Sequence, residues 1–450
     1  MRDPRPPLDD KHPDGLSRRD FLKLMAASSA AATAASAPTT ARASVKTNAT
    51  IVVAGAGAGG LTAANKLARW LDGAKIIIID DREKHFYQPG YTLVAHGLAQ
   101  PGDVTTETKD YIPDGAEWIR ESVAAFDPDS NTVETSSGRK VKYDFLVVAT
   151  GLTLDFEKIE GMESKLIGHH GIGSTYFGTA GAFASYKLSQ DFIEKGGTAI
   201  FTKPNTPMKC AGAPLKAVFL TEYRMQKAGT RAKGEFLYFN DSDKLFSVGL
   251  VDKMVGELFA ERNIKPIRKD ILTAIDPGKK IATFTGPDGN KREVGYDYIH
   301  IVPPMSAAAA VKNSNLAWQE GNFATGGWME VDKETLQHGR YPNVFGVGDI
   351  NGTPVGKTAA TVKNGTPVAM KNLVSVIDGK EPQVKFNGYT SCPLITEIGK
   401  AALIEFDYNL ELVPTFPFIN ETDPAWRWWA MKMYMLKPVY YQVIQGRFPS

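Results

Sequence analysis

The stretch TIVVAGAGAGGLTAANKLARWL, residues 50–71, constrains the fold more than any other part of the chain. A β-branched run from Ile51 to Val53 leads into glycine-rich residues 55–60. An amphipathic pattern then runs to Leu71, and AKIIIIDD supplies a second apolar run that ends at Asp80. Strand, glycine turn, helix, strand is one βαβ unit. Gly55, Gly57 and Gly60 fit G-x-G-x-x-G, with Ala58 and Gly59 completing the loop, and Asp80 follows Gly60 by 20 residues. Gly55 permits the tight turn, Gly57 lets a pyrophosphate approach the backbone, and Gly60 lets helix and strand pack closely. The helix N-terminus favours negative charge, and the acid can accept hydrogen bonds from a ribose. A lone motif of this kind is weak. The preceding strand and the spaced acid make it a dinucleotide site rather than a loop serving helix–strand packing alone.

Two later segments narrow the dinucleotide. YDFLVVATGL, residues 143–152, reads as a buried strand ending in Ala-Thr-Gly, which brings in Thr150 and Gly151. YPNVFGVGDI, residues 341–350, reads as a strand ending in Gly-Asp, which brings in Asp349. Both resemble segments of the two-domain flavoprotein disulfide reductase superfamily, in which the Gly-Asp carboxylate binds the ribityl chain of FAD. The resemblance implies an α/β fold of two Rossmann-like dinucleotide-binding domains. Residues 44–163 and 300–385 would form a split FAD-binding domain, 164–299 a second Rossmann-like domain, and 386–450 a C-terminal quinone and membrane-interface region. GGTAIFTKPNTPMKCAGAP, residues 196–214, falls where the second fingerprint should lie. Its glycines are replaced by Lys203-Pro204-Asn205-Thr206-Pro207, and prolines cannot offer a phosphate a turn of free N–H groups. The second nucleotide site therefore reads as lost, and Cys210 stands in its place.

Composition excludes several classes. Two cysteines in 450 residues, Cys210 and Cys392, cannot make a disulfide scaffold. Seven scattered histidines show no metal-ligand spacing, so no metal is expected. A formal charge of +2 gives no basic excess for nucleic acid. SRRDFL at 17–22, an Ala/Ser-rich stretch to about Ala37 and ARA at 41–43 form the pattern of a twin-arginine export signal over residues 1–43. Its removal would leave a formally neutral chain in an oxidising compartment, where a Cys–Cys bond persists. The tail PAWRWWAMKMYMLKPVYYQVIQGRF, residues 424–448, mixes aromatic, Met and cationic residues. It suits a helix lying in a lipid interface, broken in two by Pro438, although the charges form no clean stripe. The alternative is a helix packed on the protein or on a second subunit.

HFYQPGYTLVAHGL (85–98), KCAGAPLK (209–216), GKTAATV (356–362), GYTSCPLIT (388–396) and EFDYNLELVPTFPF (405–418), with the two strands above, resemble the sulfide:quinone oxidoreductase family. The likeness is to its two-cysteine branch, which includes the mitochondrial enzymes. It implies a monotopic, FAD-dependent membrane enzyme that takes electrons from sulfide and gives them to a membrane quinone; the export signal, a departure from the mitochondrial relatives, would place it at the periplasmic face of the inner membrane. In the family's scheme hydrosulfide attacks a Cys210–Cys392 bridge. Cys392 takes the sulfur as a persulfide, and Cys210 passes electrons to the flavin. The resemblance also places Gln88, Val123 (in the adenine-contacting segment), Lys357, Thr358 and Ala359 at FAD-contact positions. Lys357 could balance charge on reduced flavin or merely start a helix. Lys209, beside Cys210, could lower its thiol pKa or be a solvated surface residue. Tyr389 and Phe418 are candidates for the quinone mouth. Many bacterial relatives carry a third cysteine that this chain lacks, which favours a dissociable FAD and transfer of sulfur to a small-molecule acceptor. A homo-oligomer stays open. So do a flavocytochrome sulfide dehydrogenase flavin subunit, an NAD(P)H:quinone dehydrogenase and a non-catalytic flavoprotein.

Overall fold

The computed structural model describes residues 44–449; the export-signal pattern at 1–43 lies outside them. Strand β1 (Thr50–Ala54) enters the glycine turn, helix α1 (Ala58–Trp70) leaves it, and β2 (Lys75–Ile79) returns beside β1 in parallel. Strands β3 (Glu117–Ile119) and β4 (Phe145–Val148) follow. The chain then builds a second layer from β5 (Ile172–Gly173), α2 (Gly178–Lys195), β6 (Gly197–Thr202) and α3 (Ala213–Ala228). That layer continues through β7 (Gly234–Asn240), β8 (Ile264–Arg268) and β9 (Tyr298–His300). The path returns to the first layer with β10 (Val344–Gly346) and α4 (Ala359–Ile377). It closes with the hairpin β11 (Thr390–Glu397) and β12 (Lys400–Phe406) and the helices α5 (Trp426–Tyr434) and α6 (Leu436–Ile444).

Two parallel five-stranded sheets result, in the orders β10-β4-β1-β2-β3 and β5-β9-β6-β7-β8. Both carry helices over their faces, so their strands read as continuous apolar runs. Ile51, Val52, Val53 and Ala54 are all fully buried. The fold class is the two-Rossmann α/β architecture that the glycine and Gly-Asp segments imply.

The C-terminal tail departs from the expectation of a lipid-facing helix. Trp426, Trp428 and Trp429 are buried, packed with Leu403, Ala401 and Ile395 of the β11–β12 hairpin. A two-stranded hairpin has one apolar face to cover, and the tryptophans cover it, which is why the tail's charges make no solvent stripe. The helix breaks at Met435, and Pro438 sits in the first turn of α6, where its missing N–H costs nothing.

Candidate active site

The first glycine turn is built for close approach. Gly55 has φ +115°, and a Cβ there would lie 2.4 Å from the Ala149 carbonyl oxygen. A Cβ on Gly60 would lie 1.8 Å from the Gly55 oxygen. Gly57 meets nothing nearer than Arg82 Nη2 at 3.7 Å, so its face is open to the adjoining cleft. That cleft holds about 2260 Å3 of empty space, its mouth included, and Gly57, Ala58 and Gly59 border it. Asp80 lies behind the turn. Its carboxylate accepts from Ala56 N at 2.6 Å and from Arg82 N and Nε at 2.8 and 2.9 Å, and it pairs with Arg82 Nη2 at 2.5 Å. Burial opposes its ionisation, but the Arg82 guanidinium outweighs burial and holds the carboxyl below its usual range. Arg82, a cation over the glycine turn that sequence reading missed, is what this corner presents to the cleft.

The other expected FAD contacts border the same cleft. Gln88, Thr150, Gly151, Asp349, Lys357, Thr358 and Ala359 all line it. Thr150 Oγ1 is buried with no partner among the described residues, a hydroxyl waiting for a ligand atom. Asp349 has its carboxyl raised by burial, partly offset by Lys357 and Lys209. Thr358 caps α4, accepting from Thr361 N at 3.2 Å, so the helix N-terminus opens on the cleft. These groups fit FAD: a glycine turn and helix N-terminus for pyrophosphate, hydroxyl and carboxyl partners for the ribityl chain, and a second helix N-terminus for the flavin ring. Lys357 Nζ donates to the Asp349 and Asn351 carbonyls at 2.7 and 2.8 Å and lies 3.6 Å from the Trp328 ring centroid. Burial lowers its pKa to about 7, and its first role is to hold the Gly348–Asp349 turn. Val123 is the exception. It opens the strand Val123–Asp127, packs against the core that holds Ile119 and Val133, and is not among the residues that line the cleft. Its segment is antiparallel sheet, which sequence position alone could not aim.

Cys210 and Cys392 come together 182 positions apart in sequence. Cys210 lies in the β6–α3 loop, where a Rossmann fold would seat a phosphate, and Cys392 lies in β11. Both border the cleft, and both pack into one apolar cluster with Leu215 and Leu394. Gly212 makes room: a Cβ there would lie 2.3 Å from Cys392 Sγ. Cys210 adopts φ +49°, in the left-handed region. Cys210 N donates to Lys357 O at 3.0 Å, Ala213 N to Cys210 O at 2.8 Å, and Tyr176 Oη to Cys210 O at 3.0 Å. Lys216 Nζ, in the first turn of α3, is 3.5 Å from Cys210 Sγ. Burial would strip its proton, but the two sulfurs outweigh burial and hold the ammonium charged. The neighbouring Cys392 side chain and the Lys216 ammonium hold the Cys210 thiol well below its ordinary range. The Cys392 thiol, beside Cys210 and buried, rises. Lys209 turns instead to Gln88 Oε1 at 2.8 Å.

Sequence reading gave Lys432 to the lipid surface. It is buried, donates to Pro89 O at 2.8 Å and borders the cleft, with its pKa lowered to about 7 by burial and by the like charge of Lys216. Tyr389 also borders the cleft; Phe418 does not, and is fully exposed. No spacing links Lys216 or Lys432 to the cysteines. Only the first turn of α3, of which Lys216 is the fourth residue, and the fold of the tail bring them there.

The profile of the pyridine nucleotide-disulphide oxidoreductase family matches residues 49–369. The mitochondrial sulfide:quinone oxidoreductase of Mus musculus is 36% identical over 396 residues, 88% of this chain and 86% of that protein. That of Dictyostelium discoideum is 36% identical over 403 residues, again 88% and 86%. The crystal structure of the sulfide:quinone oxidoreductase from Aquifex aeolicus superposes with a TM-score of 0.74 at 25% identity, covering 90% of this chain and 93% of that one.

Proposed function

The chain is an FAD-dependent oxidoreductase of the sulfide:quinone oxidoreductase family, and from that premise we propose that it oxidises sulfide through Cys210 and Cys392 and reduces a membrane quinone. The observation that carries this reading is the meeting of the only two cysteines on the wall of the FAD cleft, with Lys216 against one sulfur. When the pair is oxidised, hydrosulfide attacks Cys392 Sγ. A new S–S bond forms on Cys392, the Cys210–Cys392 bond breaks, and Cys210 leaves as a thiolate: HS⁻ plus the disulfide gives a Cys392 persulfide plus Cys210 thiolate. The direction follows from the two environments. The lower-pKa thiol leaves faster, and Lys216 and the start of α3 stabilise charge on Cys210. The persulfide sulfur leaves to a small-molecule acceptor. Bound FAD supplies the two-electron carrier between the thiol pair and quinone.

The β6–α3 loop supports quinone chemistry without a pyridine nucleotide. Lys203 is ion-paired with Asp241, and Pro204 and Pro207 occupy the turn. No helix among the described residues is long and apolar enough to cross a membrane. Association with the bilayer is assigned to surface residues: Phe418, fully exposed, and Tyr434, 43% exposed. The twin-arginine pattern at 17–22 supports a reading in which the protein is exported to the periplasmic face. A steady-state assay with sulfide and a short-chain quinone tests the proposal. Cys210→Ser and Cys392→Ser should each lose at least a hundredfold in rate while retaining FAD, and NADH should not replace sulfide. A variant with wild-type turnover, or NADH-driven turnover, would overturn it.

A further inference from the structure

The apolar arm of the cleft is walled by Leu403, Phe416, Met435, Leu436 and Phe448, and one polar group of residues interrupts it. Glu405, in β12, is 4% exposed. Its Oε2 accepts from Thr415 N at 2.7 Å, and its Oε1 accepts from Thr415 Oγ1 at 2.9 Å and from Tyr389 Oη. Behind it Glu421, 5% exposed, accepts from Phe416 N at 2.7 Å, and Phe416 directly follows Thr415, which donates to Glu405, so the two carboxyls are held by neighbouring residues of one segment. Burial, with Glu405 nearby, disfavours the charged form of Glu421, so Glu421 is the member of the group that carries a proton. Tyr389, Glu405 and Thr415 border the cleft; Glu421 sits one step back. Lys363 of α4 faces the group, its ammonium 5.5 Å from the Tyr389 ring centroid and 5.3 Å from that of Phe448.

We propose that Glu421, Glu405 and Tyr389 form the proton-delivery arm of the quinone site. The proposal rests on the function given above, and it supplies what that reaction lacks. With hydrosulfide as donor, HS⁻ + H⁺ + quinone gives sulfane sulfur bound at the cysteines plus quinol. Two electrons pass from sulfur to quinone, and one proton must come from neither substrate. The carboxyl pair gives that proton, through Glu405 or the Tyr389 hydroxyl, to a quinone oxygen in the apolar arm. Solvent then refills Glu421. The groups facing the pair are Tyr389, Thr415 and Lys363. Burial first, and then the neighbouring Glu405, raises the Glu421 carboxyl to about 8, so the proton is in place below that pH and lost above it.

The test uses FAD-loaded, detergent-solubilised protein reduced with dithionite, so that the cysteines are bypassed. Flavin reoxidation is followed by stopped flow with a short-chain ubiquinone and, separately, with ferricyanide, which takes electrons without protons. Wild-type reoxidation by quinone should fall across pH 7 to 9. Glu405→Gln should slow it at least tenfold, Glu421→Gln should remove the pH step, and Tyr389→Phe should slow it by a smaller factor. Ferricyanide rates should stay equal in all four proteins, which also reports that the variants are folded. Quinone reoxidation at the wild-type rate in Glu405→Gln, or a pH step that survives in Glu421→Gln, would overturn the proposal. Ferricyanide rates that fall in parallel with quinone rates would overturn it too, because the carboxyls would then be structural. A wild-type protein that sulfide fails to reduce refutes the cysteine relay and leaves this measurement standing.

Discussion

Cys210 is held in a backbone conformation that costs a non-glycine residue roughly 1–2 kcal/mol. The return is a sulfur aimed at Cys392 and at Lys216 Nζ, 3.5 Å away. The charge on Lys216 is what makes this thiol acidic from outside the pair. Lys216→Met should therefore raise the pH midpoint for iodoacetamide alkylation of the reduced protein by at least about one unit, which is about tenfold slower alkylation at neutral pH. An unmoved midpoint would leave Lys216 as a packing residue. Lys216 stands in the sequence six positions after Cys210, a separation that spans a loop and a helical turn and so carries no readable contact. Lys209, adjacent to the cysteine and easier to suspect, turns to Gln88 instead. Adjacency in sequence said little here: Cys210 itself takes the left-handed conformation, and the Lys209 ammonium reaches Gln88. The glycines were different. Gly55 and Gly60 leave no room for a Cβ, so their identities report their geometry directly.

At the scale of elements, β1–α1–β2 was legible because a strand buried on both faces must be an unbroken apolar run and its turn must be glycine. The hairpin β11–β12 was not. TSCPLITE carries a proline opposite Leu403 and buries consecutive residues at its end, so neither alternation nor helical period marks it. Once the hairpin was missed, the tryptophans that cover it had no visible place except lipid. Trp429 is 2% exposed against that hairpin. Trp429→Ala should destabilise the FAD-loaded protein by about 3–5 kcal/mol, read as a fall in thermal midpoint in detergent. An unchanged midpoint would return the ring to the lipid.

Across the whole molecule, two Rossmann layers and the C-terminal helices enclose one cleft, and every element that borders it arrives from a different part of the chain. The fold class could be read from the order of three short segments because each carries geometry that tolerates few substitutes. The carboxyl pair and Lys432 could not, since they reach the cleft only through tertiary packing. Phe418, fully exposed, and Tyr434, 43% exposed, lie on the surface that the proposed function gives to the bilayer. Phe418→Asp combined with Tyr434→Asp should reduce co-sedimentation with phosphatidylglycerol-containing vesicles several-fold, while undiminished binding would place the contact elsewhere. The most direct test of the account is anaerobic: sulfide is added to the purified FAD-loaded protein, the flavin absorbance is followed, and a short-chain quinone is then added. The account predicts bleaching by sulfide and recovery with quinone. A flavin spectrum that sulfide leaves unchanged in folded protein would contradict the relay between Cys392, Cys210 and the cleft.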